Sequence, residues 1–304
     1  MSKENSMNTS IVLVTGAGTG IGHLAVKSLA LAGHSVYASM RDIHGRNAAK
    51  VRELRDWAFA HGADVRAVEL DVLSQPSADA AVATIVAERG RIDAVVHNAG
   101  HLVIGPSEAY TPEEIAQVFD TNFLGAQRVN KAALPVMRGQ QQGLLLWVGS
   151  TTTRGGVPPF LGPYAAAKAA MDSMAVTMAY ELARFNIETA IVVPGAFTSG
   201  TEHFANAGKP ADAATSAAYA RYDGLMDQVG ARLAELSPPE ADPAAVAEAI
   251  ARVVGLPHGQ RPFRTMVDFI DDGATAVTEV AERVRIEFAQ RIGIADLLQP
   301  SLPA

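Results

Sequence analysis

Tyr164 and Lys168 stand four residues apart in the run YAAAKAAMDSMAVTMAYELA, which is rich in strong helix formers. On a helix this spacing puts both side chains on one face. An ammonium beside a phenol favours the phenolate, so Lys168 is expected to lower the Tyr164 pKa from its ordinary value of about 10. Such a tyrosine exchanges a proton with an alcohol or carbonyl oxygen at ordinary pH. Ser150 and Thr151 follow the apolar run LLLWVG, and their hydroxyls join this chemistry if strand and helix converge. The same pair of letters also arises as a solvated tyrosine stacked on a lysine stem, so the rest of the chain must supply the setting.

The elements that would position these groups begin at Ile11–Val14, a short β-branched run that stops at Thr15-Gly16 as a buried parallel strand would. The glycine-rich TGAGTGIG follows, residues 15–22, and then a helical pattern that Gly33 ends. Strand, glycine turn and helix make an entry for a phosphate: the glycines let backbone N–H groups approach a pyrophosphate, and the helix N-terminus favours the anion. A second strand, His34–Met40, ends at Arg41-Asp42. In a dinucleotide-binding fold a carboxylate at that place accepts ribose hydroxyls, whereas an arginine accommodates a 2′-phosphate. The carboxylate's place falls on Met40 with Arg41 next, which favours NADP and leaves NAD possible; Asp42 is the competing ribose acceptor.

Further strands are expected at Val65–Leu70, closing on Asp71-Val72; at Ile92–Val96, leading into HNAG (His97 to Gly100); and at Leu144–Val148, ending at Gly149-Ser150. Asp71 would sit near an adenine amine or cap the next helix, and the small Ala99-Gly100 pair would let backbone come close to a bound ring. Thr111-Pro112-Glu113-Glu114 has the form of a capped helix start. Asn122 lies inside the helical stretch that follows, where an asparagine by itself is a surface residue or a bend. Alternating strands and helices argue for an α/β fold, an open, doubly wound parallel sheet with helices on both faces. Ligands in such sheets bind beyond the carboxyl ends of the strands. The glycine turn, Arg41, Asp71, HNAG and Ser150 all fall at those ends.

Together these residues resemble the short-chain dehydrogenase/reductase family. The turn reads TGAGTGIG, the NNAG-type motif HNAG, the asparagine motif NFLG, the tyrosine-lysine motif YAAAK and the turn after a sixth expected strand, Ile187–Val193, VPGAFTSG, in the family's order across residues 10–200. The resemblance implies a Rossmann-type sheet and an NAD(P)-dependent oxidoreductase. It makes Tyr164 the general acid in reduction, Lys168 the group that lowers its pKa and holds the nicotinamide ribose, Ser150 the donor to the substrate oxygen, and Asn122 the holder of a relay water. It implies that Gly16, Gly18, Thr19, Gly20, Ile21 and Gly22 cradle the cofactor, that Asn98, Ala99 and Gly100 line it, and that Pro194 and Gly195 turn the chain toward the nicotinamide. Thr198 or Ser199 would then reach the carboxamide or a phosphate. There are three departures. The usual serine spacing of thirteen before the tyrosine falls on Thr151, while Ser150 is fourteen before; the strand end favours Ser150, with Thr151 the alternative. His97 replaces the first asparagine and is read as a packing residue. Thr19 stands where NADP-preferring members often carry a second basic residue, so the preference rests on Arg41.

Composition bounds the remaining readings. At 304 residues with 48% apolar and 19% charged side chains, the chain suits one globular domain, 1–304. Within it the cofactor and catalytic core is read at 10–200, a substrate lid at 200–240 and a C-terminal extension at 256–304. A net charge of −7 offers no attraction to nucleic acid. The absence of cysteine removes disulfides, thiolate metal sites and a cysteine nucleophile; no metal ligand set is identified. The polar opening MSKENSMNTS is unlike a secretory signal, and no apolar run reaches the roughly 18 residues of a membrane span, so a cytoplasmic protein is expected. Phe160, Phe204, Tyr219, Tyr222 and Met226 are candidate pocket residues. SVYASMRD, with the long lid and tail, looks like the branch of the family acting on hydroxysteroids, retinoids and other bulky apolar alcohols. A carbonyl reductase or alcohol dehydrogenase is the leading expectation, assembled as a homodimer or homotetramer through the helix that starts at Tyr164. A non-catalytic nucleotide-binding regulator, or an epimerase- or dehydratase-type relative, are the alternatives.

Overall fold

The apolar runs form seven strands: β1 (Ile11–Val14), β2 (Ser35–Met40), β3 (Val65–Glu69), β4 (Ala94–His97), β5 (Gly143–Val148), β6 (Ile187–Pro194) and β7 (Arg264–Val267). All pair in parallel, in the spatial order β3-β2-β1-β4-β5-β6-β7. The structure, a computed structural model, describes residues 9–302; residues 1–8, most of the polar opening stretch, and residues 303–304 lie outside the described residues.

The reason the runs of β1, β2, β4 and β5 read as continuous rather than alternating is that both faces of the sheet are covered there. Successive residues of β1 serve opposite cores: Val12 and Val14 pack under α1 (Gly20–Leu31) and α9 (Ala244–Gly255), Ile11 and Leu13 on the other face. That second face is covered by α3 (Gln75–Arg89), α5 (Gly125–Gln140) and α6 (Gly162–Ala183). In β5, Leu144, Leu146 and Val148 face the first core while Leu145 and Trp147 face the second. Each fully buried leucine contributes about 1.5–3 kcal/mol of burial, which fixes the strand registers from which the site loops spring. The sheet continues past residue 200, because β7 pairs with β6 from within the C-terminal extension.

Three local features matter for the site. The helix start at Thr111 is a full capping box: Thr111 accepts from the Glu114 N–H, and Glu114 accepts from the Thr111 N–H. The helix expected to run on from there is split into α4 (Pro112–Phe119) and α5 by a π-helical turn, Asp120–Leu124, centred on Asn122. Such turns widen a helix locally and recur at functional sites. The stretch 200–240 holds α7 (Ala213–Ala218) and α8 (Leu225–Leu236), and α2 (Ala48–Ala60) and α10 (Ala274–Arg291) complete the helices among the described residues. No helix there is long and apolar enough to cross a membrane.

Candidate active site

Residues that follow the strands line one cleft of about 1260 Å³, more than the roughly 300–1,000 Å³ of a drug-sized pocket. At one end is the glycine turn. Gly16 has φ +66°, and a Cβ there would come 2.8 Å from the Ala99 Cα. A Cβ on Gly22 would strike the Asn98 amide and lie 2.5 Å from the Gly16 carbonyl oxygen. Gly20, φ +55°, faces open space. The first turn of α1 carries no acidic residue, and its N-cap, Thr19, makes no side-chain cap hydrogen bond. The free N–H groups of that turn therefore fit an anion such as a pyrophosphate.

Thr15, overlooked as a site residue although it is the first letter of the motif, ties this turn to HNAG. Its hydroxyl donates to the Val96 carbonyl (3.2 Å) and accepts from the Asn98 and Ala99 N–H groups (both 3.0 Å). The Asn98 amide donates to the carbonyls of Thr15 (2.9 Å) and Gly16 (3.2 Å), so that side chain is engaged in holding two loops together. His97 points into the second core, with its ring 4.4 Å from that of Trp147 and Nε2 2.7 Å from Asn130 Oδ1. Burial pushes its pKa down from 6.5 to about 4. A histidine held neutral contributes stability that is complete above 6.5 and is lost as pH falls toward 4. The shift corresponds to on the order of 3 kcal/mol. Urea unfolding of the His97→Gln variant is expected to show a flatter loss of stability over that range than the parent, and equal slopes would show that His97 does not titrate on unfolding.

Beyond β2 the cleft is lined by Arg41, Arg46, Asn47 and Lys50. Asp42 does not line it. Its backbone is left-handed (φ 50°), and its carboxylate accepts from the Arg46 N–H at 2.7 Å, closing its own loop. Glu69, at the end of β3, accepts from the Asp42 and Ile43 N–H groups (2.6 and 2.8 Å) and fixes that loop. Arg46 and Lys50 were not foreseen; only the bend at Asp42 brings them beside Arg41. Asp71 and Val72 line the same end, the Asp71 carboxylate accepting from the Leu73 N–H at 3.1 Å.

At the other end Ser150, Tyr164 and Lys168 come together. All three are buried, and the Lys168 ammonium donates to the Val148 carbonyl (3.0 Å) and sits 6.0 Å from the Tyr164 ring centroid. Burial pushes Lys168 down to about 8. Tyr164 goes opposite to the sequence-based expectation. Burial raises it to about 12, and the counteracting influence is a hydrogen bond with Ser150 rather than the lysine charge. Among the protein's own groups, loss of water around the phenolate outweighs an ammonium at that distance. Ser150 is therefore the hydroxyl against the phenol. Thr152 sets its direction, donating to Ser150 Oγ from its own hydroxyl at 2.9 Å. Thr151 lines the cleft beside them and is buried.

Asn122 is almost wholly buried and has both ends of its amide engaged: Nδ2 donates to the His101 and Val118 carbonyls (3.1 and 3.0 Å), and Oδ1 accepts from the His101 N–H (3.1 Å). It pins the chain just after HNAG. Pro194 and Gly195 line the cleft, and a Cβ on Gly195 would strike the Asp268 carboxylate. Thr198 and Ser199 do not line it and are exposed; Thr201, past the left-handed Gly200, does. Of the five candidate pocket residues, Phe204 and Met226 line the cleft. Phe160, Tyr219 and Tyr222 instead pack edge-on and tilted against one another, with the Tyr219 hydroxyl on Glu108 (2.8 Å). His203, which the sequence did not single out, lays its ring edge to Tyr164 (centroids 5.8 Å).

Comparison with known proteins identifies relatives of this chain. The family profile described as short chain dehydrogenase matches residues 10–210. The 3-ketodihydrosphingosine reductase of Bacteroides thetaiotaomicron is 34% identical over 194 residues, covering 64% of this chain and 66% of that protein. Estradiol 17-beta-dehydrogenase 1 of Rattus norvegicus is 32% identical over 245 residues, 77% of this chain and 68% of that protein. The matches thus span about two thirds of the length of these relatives. Among solved structures, a variant of the actinorhodin polyketide ketoreductase with NADPH superposes with a TM-score of 0.70 at 25% identity, over 88% of this chain and 98% of that one.

Proposed function

The chain belongs to the short-chain dehydrogenase family, and from that premise we propose that it transfers a hydride between NADP(H) and the carbonyl or secondary alcohol of a fairly apolar substrate. The observation that carries this reading is the meeting of Ser150, Tyr164 and Lys168 in the same cleft as the glycine cradle. Arg41, Arg46 and Lys50 support NADP, as three cations beside the place of the adenosine 2′-phosphate, while the Asp42 carboxylate is taken up by its own loop. The NADPH of the ketoreductase structure agrees with that choice.

When bound, the nicotinamide supplies or accepts the hydride. The chain manages the oxygen. In reduction Tyr164, protonated at neutral pH because burial holds its pKa near 12, donates its proton to the carbonyl oxygen as the new C–H bond forms at the carbon. Ser150 donates a hydrogen bond to the same oxygen and stabilises its developing charge. Lys168, held on the Val148 carbonyl, is the cation nearest the phenolate left behind; in oxidation the proton returns to that phenolate. Asn122 keeps the loop after HNAG in register with these groups.

Ile104, Leu161, Phe204, Met226, Val229 and Leu233 give the far end of the cleft an apolar wall, which suits a bulky ketone. The names of the reductase and the estradiol dehydrogenase above point to the same substrate character. On this reading residues 1–304 make one domain, with 10–200 as cofactor and catalytic core, 200–240 as lid and 256–304 as extension. A cytoplasmic setting and self-association through α6 belong to the same proposal. The paired variants Ser150→Ala and Thr151→Ala test the assignment. NADPH consumption with any accepted ketone is expected to fall about 10²–10³-fold in the first, as for loss of one oxyanion donor, and much less in the second; the reverse order would assign the role to Thr151.

A further inference from the structure

Helix α10 lies beyond residues 10–210, which match the family, and is firmly seated on one side. Its Ala274, Thr278 and Ala289 are buried, and the Arg285 guanidinium stacks 4.2 Å from the Phe263 ring centroid and 5.6 Å from that of Tyr180. Its outer side is unlike a solvated surface. Val277, Val280, Val284 and Phe288, spaced by three, four and four residues, are 47%, 49%, 54% and 57% exposed and make one apolar stripe about 17 Å long at 1.5 Å per residue. A contiguous apolar stripe left in water on a docked helix marks an interaction surface.

The charges beside the stripe say what covers it. Glu279, Arg283, Glu287 and Arg291 recur every fourth residue with alternating sign, and none is in an ion pair among the described residues. Reversed end for end about a point near residues 284–285, this column is its own complement. A reversal centred on 285 brings Arg283 to the position of Glu287 and Glu279 to that of Arg291, and one centred a single residue away, on 284, sets Val280 against Phe288 and Val284 against itself. In an antiparallel helix pair residues on one flank face the same flank of the partner, whereas a parallel pair sets opposite flanks together. We infer that α10 is a self-association surface on which a second copy of this chain docks antiparallel about a two-fold axis passing near Val284, with reciprocal Arg283–Glu287 pairs at its centre. An isologous contact of this kind needs self-complementarity, and the stripe and the charge column both have it. An acidic or basic partner protein would not call for alternating signs, and a membrane surface would call for an excess of lysine and arginine.

The chain has no cysteine, so a single introduced thiol reports on this contact alone. In the full chain Val284→Cys is expected to oxidise to a covalent dimer, whereas Phe59→Cys, on an exposed ring 89% accessible on α2, is not. By sedimentation velocity, Arg283→Glu and Glu287→Arg are each expected to halve the assembly mass, and the double exchange Arg283→Glu/Glu287→Arg to restore it, with helix content by circular dichroism unchanged throughout. Crosslinking of Val284→Cys no greater than that of Phe59→Cys, an unchanged mass in the single exchanges, or failure of the double exchange to recover the mass would each overturn the inference. None of these readouts depends on turnover, so they stand apart from the proposed reaction.

Discussion

Tyr164→Phe is expected to bind NADPH with unchanged affinity and to lose turnover by about 10²–10⁴-fold, the usual worth of a positioned general acid. The substitution removes one oxygen and keeps the ring, so its edge contact with His203 and its burial on α6 persist. The size of the effect follows from the absence of a ready substitute. His203 is pushed below the ordinary imidazole range, first by burial and then by Lys168 and His101, so it carries no spare proton near pH 7. Lys168 keeps one N–H on the Val148 carbonyl and stands 6.0 Å from the Tyr164 ring centroid, behind the phenol rather than in its place. Fluorescence titration with NADPH, followed by steady-state turnover, separates the two outcomes. Weaker NADPH binding with normal turnover at saturation would remove Tyr164 from the chemistry and make it a cofactor contact.

Removing two cations from the far end of the cleft is expected to reach NADPH and leave NADH nearly untouched. A hydrogen bond to a charged group contributes about 1.5–3 kcal/mol, and 1.4 kcal/mol is tenfold in Kd. Arg41 is exposed and partly screened, so about tenfold for each cation is the expected scale. Arg41→Ala/Lys50→Ala should therefore weaken NADPH by about a hundredfold in calorimetric or fluorescence titrations at fixed salt. An equal loss for both cofactors would mean that the cations hold the shared pyrophosphate or ribose. No loss for either would mean that they face solvent.

The central strands were legible because a sheet buried on both faces leaves uninterrupted apolar runs, as in Leu144–Val148, and because such a run ends at a glycine or a polar residue. The nearness of Tyr164 and Lys168 was legible for a related reason: spacing on one helix places them together without knowledge of the rest of the fold. What stayed hidden depends on contacts distant in sequence. The rise of Tyr164 comes from burial, which no local pattern reports. Arg46 and Lys50 reach Arg41 only because Asp42 adopts a left-handed backbone and Glu69, 27 residues away, holds the loop. Thr198 was expected at the cofactor, but the left-handed Gly200 redirects the chain so that Thr201 is the threonine facing the cleft. Phe160, Tyr219 and Tyr222 show the other limit. Aromatic rings at suggestive spacing satisfied one another instead of lining the pocket.

The central claim is that this cleft moves a hydride to a carbonyl carbon while Tyr164 protonates the oxygen. It is tested most directly by a single-turnover reaction of the full chain with NADPH carrying deuterium at both C4 positions and a set of bulky apolar ketones. The predicted result is one deuterium on the new carbinol carbon of an accepted ketone, in an amount matching the NADPH consumed, and none within the same time in Tyr164→Phe. NADPH that binds tightly yet leaves no deuterium on any ketone, or label transfer that is undiminished in Tyr164→Phe, would contradict it.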